Sequence, residues 1–164
     1  MWKKTLGIAM ILASLSVSAF ASIPRDQIHI GGLKPGMTLQ QVAAMYGMPK
    51  AVQSDSKAAR GMYQIAGGLI NGWLNEKGVF AQYTLSNRLA GGERIAASGN
   101  IQIGMTTSDV INRLGNPDNT QSFNNIILLV YNSVEEGIAG RGYPDVLILS
   151  FSNGRLSTIS INRR

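Results

Sequence analysis

Residues 36–49, GMTLQQVAAMYGMP, return at 104–117 as GMTTSDVINRLGNP, with Gly, Met, Thr, Val, Gly and Pro kept in register. Six identities in these fourteen positions compare with about one expected at ordinary residue frequencies. A chain that spells one sentence twice obeys the same local rules twice. Two copies of one helix-led unit are therefore expected.

Each copy reads as a capped helix. Thr38 and Thr106 are N-cap residues, and Gln41 and Asp109 stand at the third helical position, where a capping box closes. Met37 and Met105 precede the caps and face Val42 and Val110 as hydrophobic staples. Val42 and Tyr46, like Val110 and Leu114, are four apart and share the buried stripe. Gly47 and Gly115 are expected to end the helices in a left-handed conformation, and Pro49 and Pro117 prevent resumption. These glycines form no phosphate loop, because neither copy carries G-x-G-x-x-G or G-K-[ST]. The repeat is scaffold.

Downstream of each helix the hydrophobic period switches to two. Strands are expected at 61–66, 69–74 and 79–86, and again at 126–133, 145–152 and 155–162. Asn153-Gly154 predicts a two-residue hairpin turn, with Lys77-Gly78 in the same place in the first half. NRLAGGERIAASGN (87–100) reads as the linker between halves, part of it lengthening a strand, and EEGIAGRGYP (135–144) as an extra loop in the second. The expected class is α+β: two tandem units, each a short capped helix or helical pair on an antiparallel β-meander, with helices on one sheet face. The opposite face of each sheet has no obvious cover, and it is where a partner could bind.

Residues 1–21 read as a signal peptide: Lys3 and Lys4, a short apolar run, then Ala19-Phe20-Ala21 as the cleavage site. Removing the two lysines lowers the net charge from +6 to +4. That remainder is spread along the chain, which argues against a nucleic-acid partner and leaves a weak attraction of Arg163-Arg164 to anionic lipid headgroups. The chain has no cysteine, so neither a disulfide nor a lipidation thiol is available, and the expected product is exported and soluble. Units of about 65 residues are marginal alone, so two halves sharing one body are expected. The boundaries are read as 1–21, 22–94 and 95–164.

The search for chemistry finds little. His29, the one histidine, has neither cysteine nor an acidic cluster for a zinc site, and no Gly-x-Ser-x-Gly elbow accompanies it. Glu135-Glu136 are sequence neighbours, whose side chains usually point apart. No calcium-loop pattern appears. No enzyme, metal or cofactor is expected. Aromatic residues (Trp73, Phe80, Tyr83, Tyr143 and Phe151) remain, either as core or as binding anchors. The candidate partner-binding residues are Trp73 and Asp55 in the first half, and Arg141 and Tyr143 in the second.

G-M-T-x-x-x-V-x-x-x-x-G-x-P, then a tyrosine (Tyr63, Tyr131), then a strand–Asn-Gly–strand hairpin, resembles the SmpA/OmlA (BamE) family. The pattern is complete in residues 101–162, through Gly104, Met105, Thr106, Val110, Gly115, Pro117, Tyr131, Asn153 and Gly154. The resemblance implies a small envelope protein of the outer-membrane β-barrel assembly machinery. Typical members are single-copy lipoproteins, whereas this chain has two copies and no cysteine. Tandem copies in an exported chain resemble the β-lactamase inhibitory proteins, which grip an enzyme with a concave sheet face and a projecting loop. QSDSKAAR (53–60), with Asp55, would be a comparable loop. The expected function is a non-enzymatic envelope protein that binds a barrel-assembly component, with a hydrolase inhibitor as the alternative.

Overall fold

The computed structural model describes residues 23–54, 60–134 and 144–163. They form a mixed α+β fold with two α-helices, α1 (Leu39–Tyr46) and α2 (Thr107–Leu114). The strands are β1 (Ile23–Pro24), β2 (Lys50–Ser54), β3 (Gly61–Ile65), β4 (Ile70–Leu74), β5 (Phe80–Ser86), β6 (Asn119–Phe123), β7 (Ile126–Val134), β8 (Asp145–Ser152) and β9 (Arg155–Arg163). All belong to one sheet in the order β1-β7-β8-β9-β5-β4-β3-β2, with β6 also paired to β7. One continuous sheet therefore replaces the two expected from the sequence. Its seam is the antiparallel β5–β9 pair, from Gln82 opposite Asn162 to Ser86 opposite Thr158.

Both helices start in closed capping boxes. The Gln41 N–H donates to Thr38 Oγ1 at 3.3 Å while the Thr38 N–H donates to Gln41 Oε1 at 2.9 Å. Asp109 does the same for Thr106, at 3.2 and 3.0 Å, and also accepts from the Thr106 hydroxyl at 2.7 Å. Aspartate thus serves as well as glutamine. Val42 and Val110 are fully buried. The stops differ from expectation: Gly47 (φ 78°, ψ 173°) and Gly115 (φ 86°, ψ −173°) have positive φ but extended ψ, not the left-handed helical geometry. Glycine is still required there, since that region excludes a Cβ. Extended ψ throws the chain straight out towards the proline.

Each helix is fastened through the residue pair ahead of its cap. Gly36 and Met37 exchange backbone hydrogen bonds with Phe80 (2.7 and 2.8 Å), and Gly104 and Met105 do so with Leu156 (both 2.8 Å). The starts of β5 and β9 thereby anchor α1 and α2.

Other expectations need correction. Asn153 (φ 52°) and Gly154 (φ 75°) form the two-residue turn. Lys77-Gly78 does not: the Asn75 carbonyl accepts the Gly78 N–H, and its side-chain oxygen takes the Lys77 N–H, in a longer turn. Gln53 and Ser54 belong to β2 rather than to a projecting loop, and β6 was not foreseen. The connector 87–100 does not lengthen β5. Ala97 bridges Ile30 and Ile101, and the Ser98 N–H and hydroxyl both donate to His29 O. Each motif is followed by one helix, not a helical pair.

A buried carboxylate ties the residue after β1 to the end of β9. Asp145, 1% exposed, opens β8. Its oxygens meet Arg25 Nε at 3.2 Å and Arg163 Nε at 3.1 Å, and its N–H donates to Ser133 Oγ at 2.8 Å. Arg25 follows β1, which pairs in parallel with the end of β7. Arg163, named above for its attraction to lipid headgroups, reaches Asp145 in the fold. Among the described residues no helix is long and apolar enough to cross a membrane.

The capping boxes and the carboxylate cluster can each be tested by substitution. Thr38→Ala and Thr106→Ala should each cost about 0.5–2 kcal/mol, read as denaturation midpoints, and unchanged midpoints would show that neither box stabilises its helix. Asp145→Asn should cost about 1.5–3 kcal/mol, because two guanidiniums lose their charged acceptor while remaining partly hydrated. An unaltered midpoint in that variant would show the cluster to be incidental.

Candidate functional site

Strand alternation gives the sheet two chemically different faces. Tyr63, Ile65, Ile70, Phe80, Tyr83, Leu85, Leu129, Tyr131, Leu147, Leu149, Ile159 and Ile161 point into one core together with Val42, Val110 and the arm residues Ile28, Ile30 and Leu33. The other face carries the alternate residues. One row runs Met62, Trp73, Gln82, Asn162, Val146, Asn132. The next runs Gln64, Asn71, Thr84, Ser160, Ile148, Val130. A third joins Ser86, Thr158, Ser150 and Leu128, and Ser152, Ile126 and Phe123 lie beyond it. None of these residues is Lys, Arg, Asp or Glu, in a chain holding 15 basic and 9 acidic residues, and charge enters the rows only at their margins, with Lys50 opposite Gln64 and Arg155 opposite Ser152. A merely solvated sheet face would be expected to carry charge, whereas depletion of charge marks the centre of binding interfaces.

The face is divided. Its β3–β5 end is polar around one aromatic ring: Trp73 is 44% exposed, beside Met62 at 38%. Trp73 stands between two hollows. One, of about 80 Å³, is lined by Met62, Asn71, Gly72, Gln82 and Thr84, and the other, of about 340 Å³, by Arg60, Asn75 and Glu76. Arg60 and Glu76 are ion-paired. Thr84 and Ser160 share a hydroxyl contact of 3.2 Å at the seam. The β6–β7 end is aliphatic. Phe123 (61% exposed) and Ile126 (44%) face each other at a hairpin tip, with Leu128, Val130 and Ile148 half-buried behind them. Val146 is the exception on this face, being 1% exposed.

Of the residues singled out from sequence, Trp73 is on the open face, while Phe80, Tyr83 and Phe151 are core. Asp55, Arg141 and Tyr143 lie outside the described residues, as do Glu135 and Glu136. The sequence reading missed Phe123, Ile126, Leu128 and Val130. Their signal was present in IILLVYNS: a strand apolar on both faces needs two covers, and the described residues supply one.

The titratable groups have structural explanations. Burial, and then Lys34, lower the His29 pKa, and His29 Nδ1 accepts the Gly32 N–H at 3.3 Å. The Thr106 hydroxyl and N–H hold Asp109 below its usual range, as expected of a capping carboxylate. Among the described residues no group of three or more His, Cys, Asp or Glu could hold a metal ion. Burial, and then Asp118, push Tyr131 up to about 12, and its hydroxyl donates to Gly115 O at 3.1 Å. Burial raises Tyr83 as well, and its buried hydroxyl has no hydrogen-bond partner among the described residues.

No family model matches the chain, and neither a curated protein nor a solved structure matches it.

The two tyrosines give opposite expectations. Tyr83→Phe should stabilise the fold by about 1 kcal/mol by removing an unsatisfied buried hydroxyl, and Tyr131→Phe should cost about 1 kcal/mol by losing a made bond. Both phenols are held neutral by the fold, so their stabilising contribution is complete below the unfolded value near 10 and is lost as pH rises above it, through about 12 for Tyr131 and higher still for Tyr83. Urea midpoints measured from about pH 8 to about pH 11.5 check this, and a flat profile would contradict it.

Proposed function

We propose that this chain is a non-enzymatic, exported protein-binding module of the bacterial envelope, built from two tandem BamE-like units and serving outer-membrane β-barrel assembly or envelope integrity. The tandem reading is supported by internal correspondence. Gly78 and Gly154 are separated by the same interval as Thr84 and Ser160, which pair directly at the β5–β9 seam. The register shift that skips Ala81 on β5 recurs at that interval on β9, where Ser157 is skipped. The backbone bonds joining Gly36 and Met37 to Phe80 recur from Gly104 and Met105 to Leu156. Such a pattern is what an approximate two-fold axis through the seam would produce.

The observation that carries the binding reading is the open sheet face, free of charge in its central rows, with Phe123 and Ile126 exposed at its aliphatic end. Monomers seldom leave such apolar residues contiguous without a use, and interface anchors concentrate where apolar side chains can be fully desolvated. The helices are poor candidates in comparison, since their repeated residues cap, staple and stop them. Hydrolase inhibition is the second reading. It is favoured by the β6–β7 tip, where Phe123 and Ile126 flank Asn124-Asn125 on an edge hairpin, a shape suited to entering a cleft.

Purification from envelope under cross-linking separates the two: barrel-assembly components support the first reading, and a hydrolase supports the second. A Phe123→Asp, Ile126→Asp double variant should weaken capture at least tenfold, about 1.4 kcal/mol, while unfolding like the parent. Retained capture by that variant, with loss on substituting the exposed helix residues Gln40 and Asn112, would move the contact surface to the helices.

A further inference from the structure

We propose that the Trp73 end of the open face is a carbohydrate-binding platform for a neutral, β-linked oligosaccharide of gluco-configured pyranose units. This site goes beyond protein capture at the β6–β7 end and does not depend on it. Three features select the ligand class. The first is the free ring: Trp73 is 44% exposed on a sheet face, between one hollow of about 80 Å³ and another of about 340 Å³. A pyranose with equatorial substituents has a flat C–H face that packs on such a ring, with its hydroxyls directed to the sides.

The second feature is what stands at those sides. Asn71 and Gln82 lie on the strands around Trp73, and neither amide has a hydrogen-bond partner among the described residues. Each presents a donor and an acceptor in one plane, matching a pair of adjacent hydroxyls, and Thr84 adds a hydroxyl of its own. On the other side the Arg60–Glu76 pair supplies planar donors and acceptors with their charges already compensated. The third feature is the absence of net charge. From β3 to β9 the rows through Trp73 and Asn71 carry no Lys, Arg, Asp or Glu. The one charge at their β2 end is Lys50, opposite Gln64 on the edge strand, so the centre of the platform offers little attraction to phosphate, sulfate or uronate. An apolar protein surface or lipid chain would leave the two amides unsatisfied. Uncharged hydroxyl groups would not.

The probes are N-acetylglucosamine tetramer, cellotetraose and maltotetraose, titrated into the full chain carrying Trp2→Phe, in which Trp73 is the one tryptophan. At least one β-linked tetramer should shift the fluorescence saturably, with affinity unchanged between about 50 mM and about 500 mM salt. Affinity electrophoresis through the polymer of the best probe then compares variants. Trp73→Ala should abolish retardation, and Gln82→Ala, an exposed change that leaves the sheet intact, should weaken binding at least tenfold. No response to either β-linked tetramer at millimolar concentration would overturn the proposal. So would binding that survives Trp73→Ala and Gln82→Ala, binding of maltotetraose alone, or binding only to anionic polymers with loss at high salt.

Discussion

Five antiparallel residue pairs between β5 and β9, centred on Thr84 and Ser160, make one sheet out of what would otherwise be two exposed edges. An unpaired edge of this kind presents a row of backbone donors and acceptors to any passing strand. Pairing removes both edges at once. It also brings Tyr83 and Leu85 against Ile161 and Ile159 in one apolar layer, extended by Phe80, which stacks on Tyr83 at 5.3 Å and meets Tyr63 edge-on at 5.9 Å. Segments of about 65 residues bury too little surface to be secure alone. The seam lets the buried residues of both segments form a single cluster, running from Ile23 to Ile161.

That cluster cannot be closed by the helices alone. Each has eight residues and fully buries a single valine. The remaining cover comes from non-repeated chain: the arm with Ile28, Ile30 and Leu33, and the connector with Ala97 and Ile101, all at most 1% exposed. The arm crosses to the far end of the sheet, where β1 lies on β7 and Arg25 meets Asp145. All of this covering chain is used on one side of the sheet. Among the described residues, the open side is therefore the direct consequence of how little helix there is to cover it.

The legible parts of the sequence were those where local chemistry alone dictates geometry. Thr38 and Thr106 with their third-position partners marked both helix starts, and Asn153-Gly154 marked a hairpin whose turn requires two positive φ angles. KAVQS and NTQSF were not legible as strands. Every residue of β2 and β6 is exposed, so neither shows the alternation by which a half-buried strand is read. The joining of two sheets into one was also hidden, because it depends on contacts such as Thr84 with Ser160, far apart along the chain. The aromatic residues were ambiguous for a related reason. Trp73 and Tyr83 sit on adjacent strands, and the register that sets Trp73 opposite Gln82 and Gly72 opposite Tyr83 sends one ring outward and the other into the core. IILLVYNS was read as a strand without its two apolar faces being distinguished, and Ile126, Leu128 and Val130 face the open side.

Pairing rules allow the two faces to change independently. Inward residues are constrained by a shared core, where a change in volume is felt by every neighbour. Outward residues meet only the pair across the strand. On the tandem reading, Trp73 opposite Gln82 and Ser150 opposite Thr158 are counterparts, each the first pair beyond its register shift. Their core neighbours Phe80 and Leu156 are both apolar and buried to within 1%. Divergence is thus concentrated where the scaffold does not resist it, giving an aromatic, amide-lined surface at one end and an aliphatic one at the other. Charge has stayed off the central rows at both ends, although Lys50, Arg60, Arg155 and Arg163 show that the strand ends and edges tolerate it. A constraint confined to the middle of an open face, and absent from its rim, is what desolvation by a bound partner or ligand would impose.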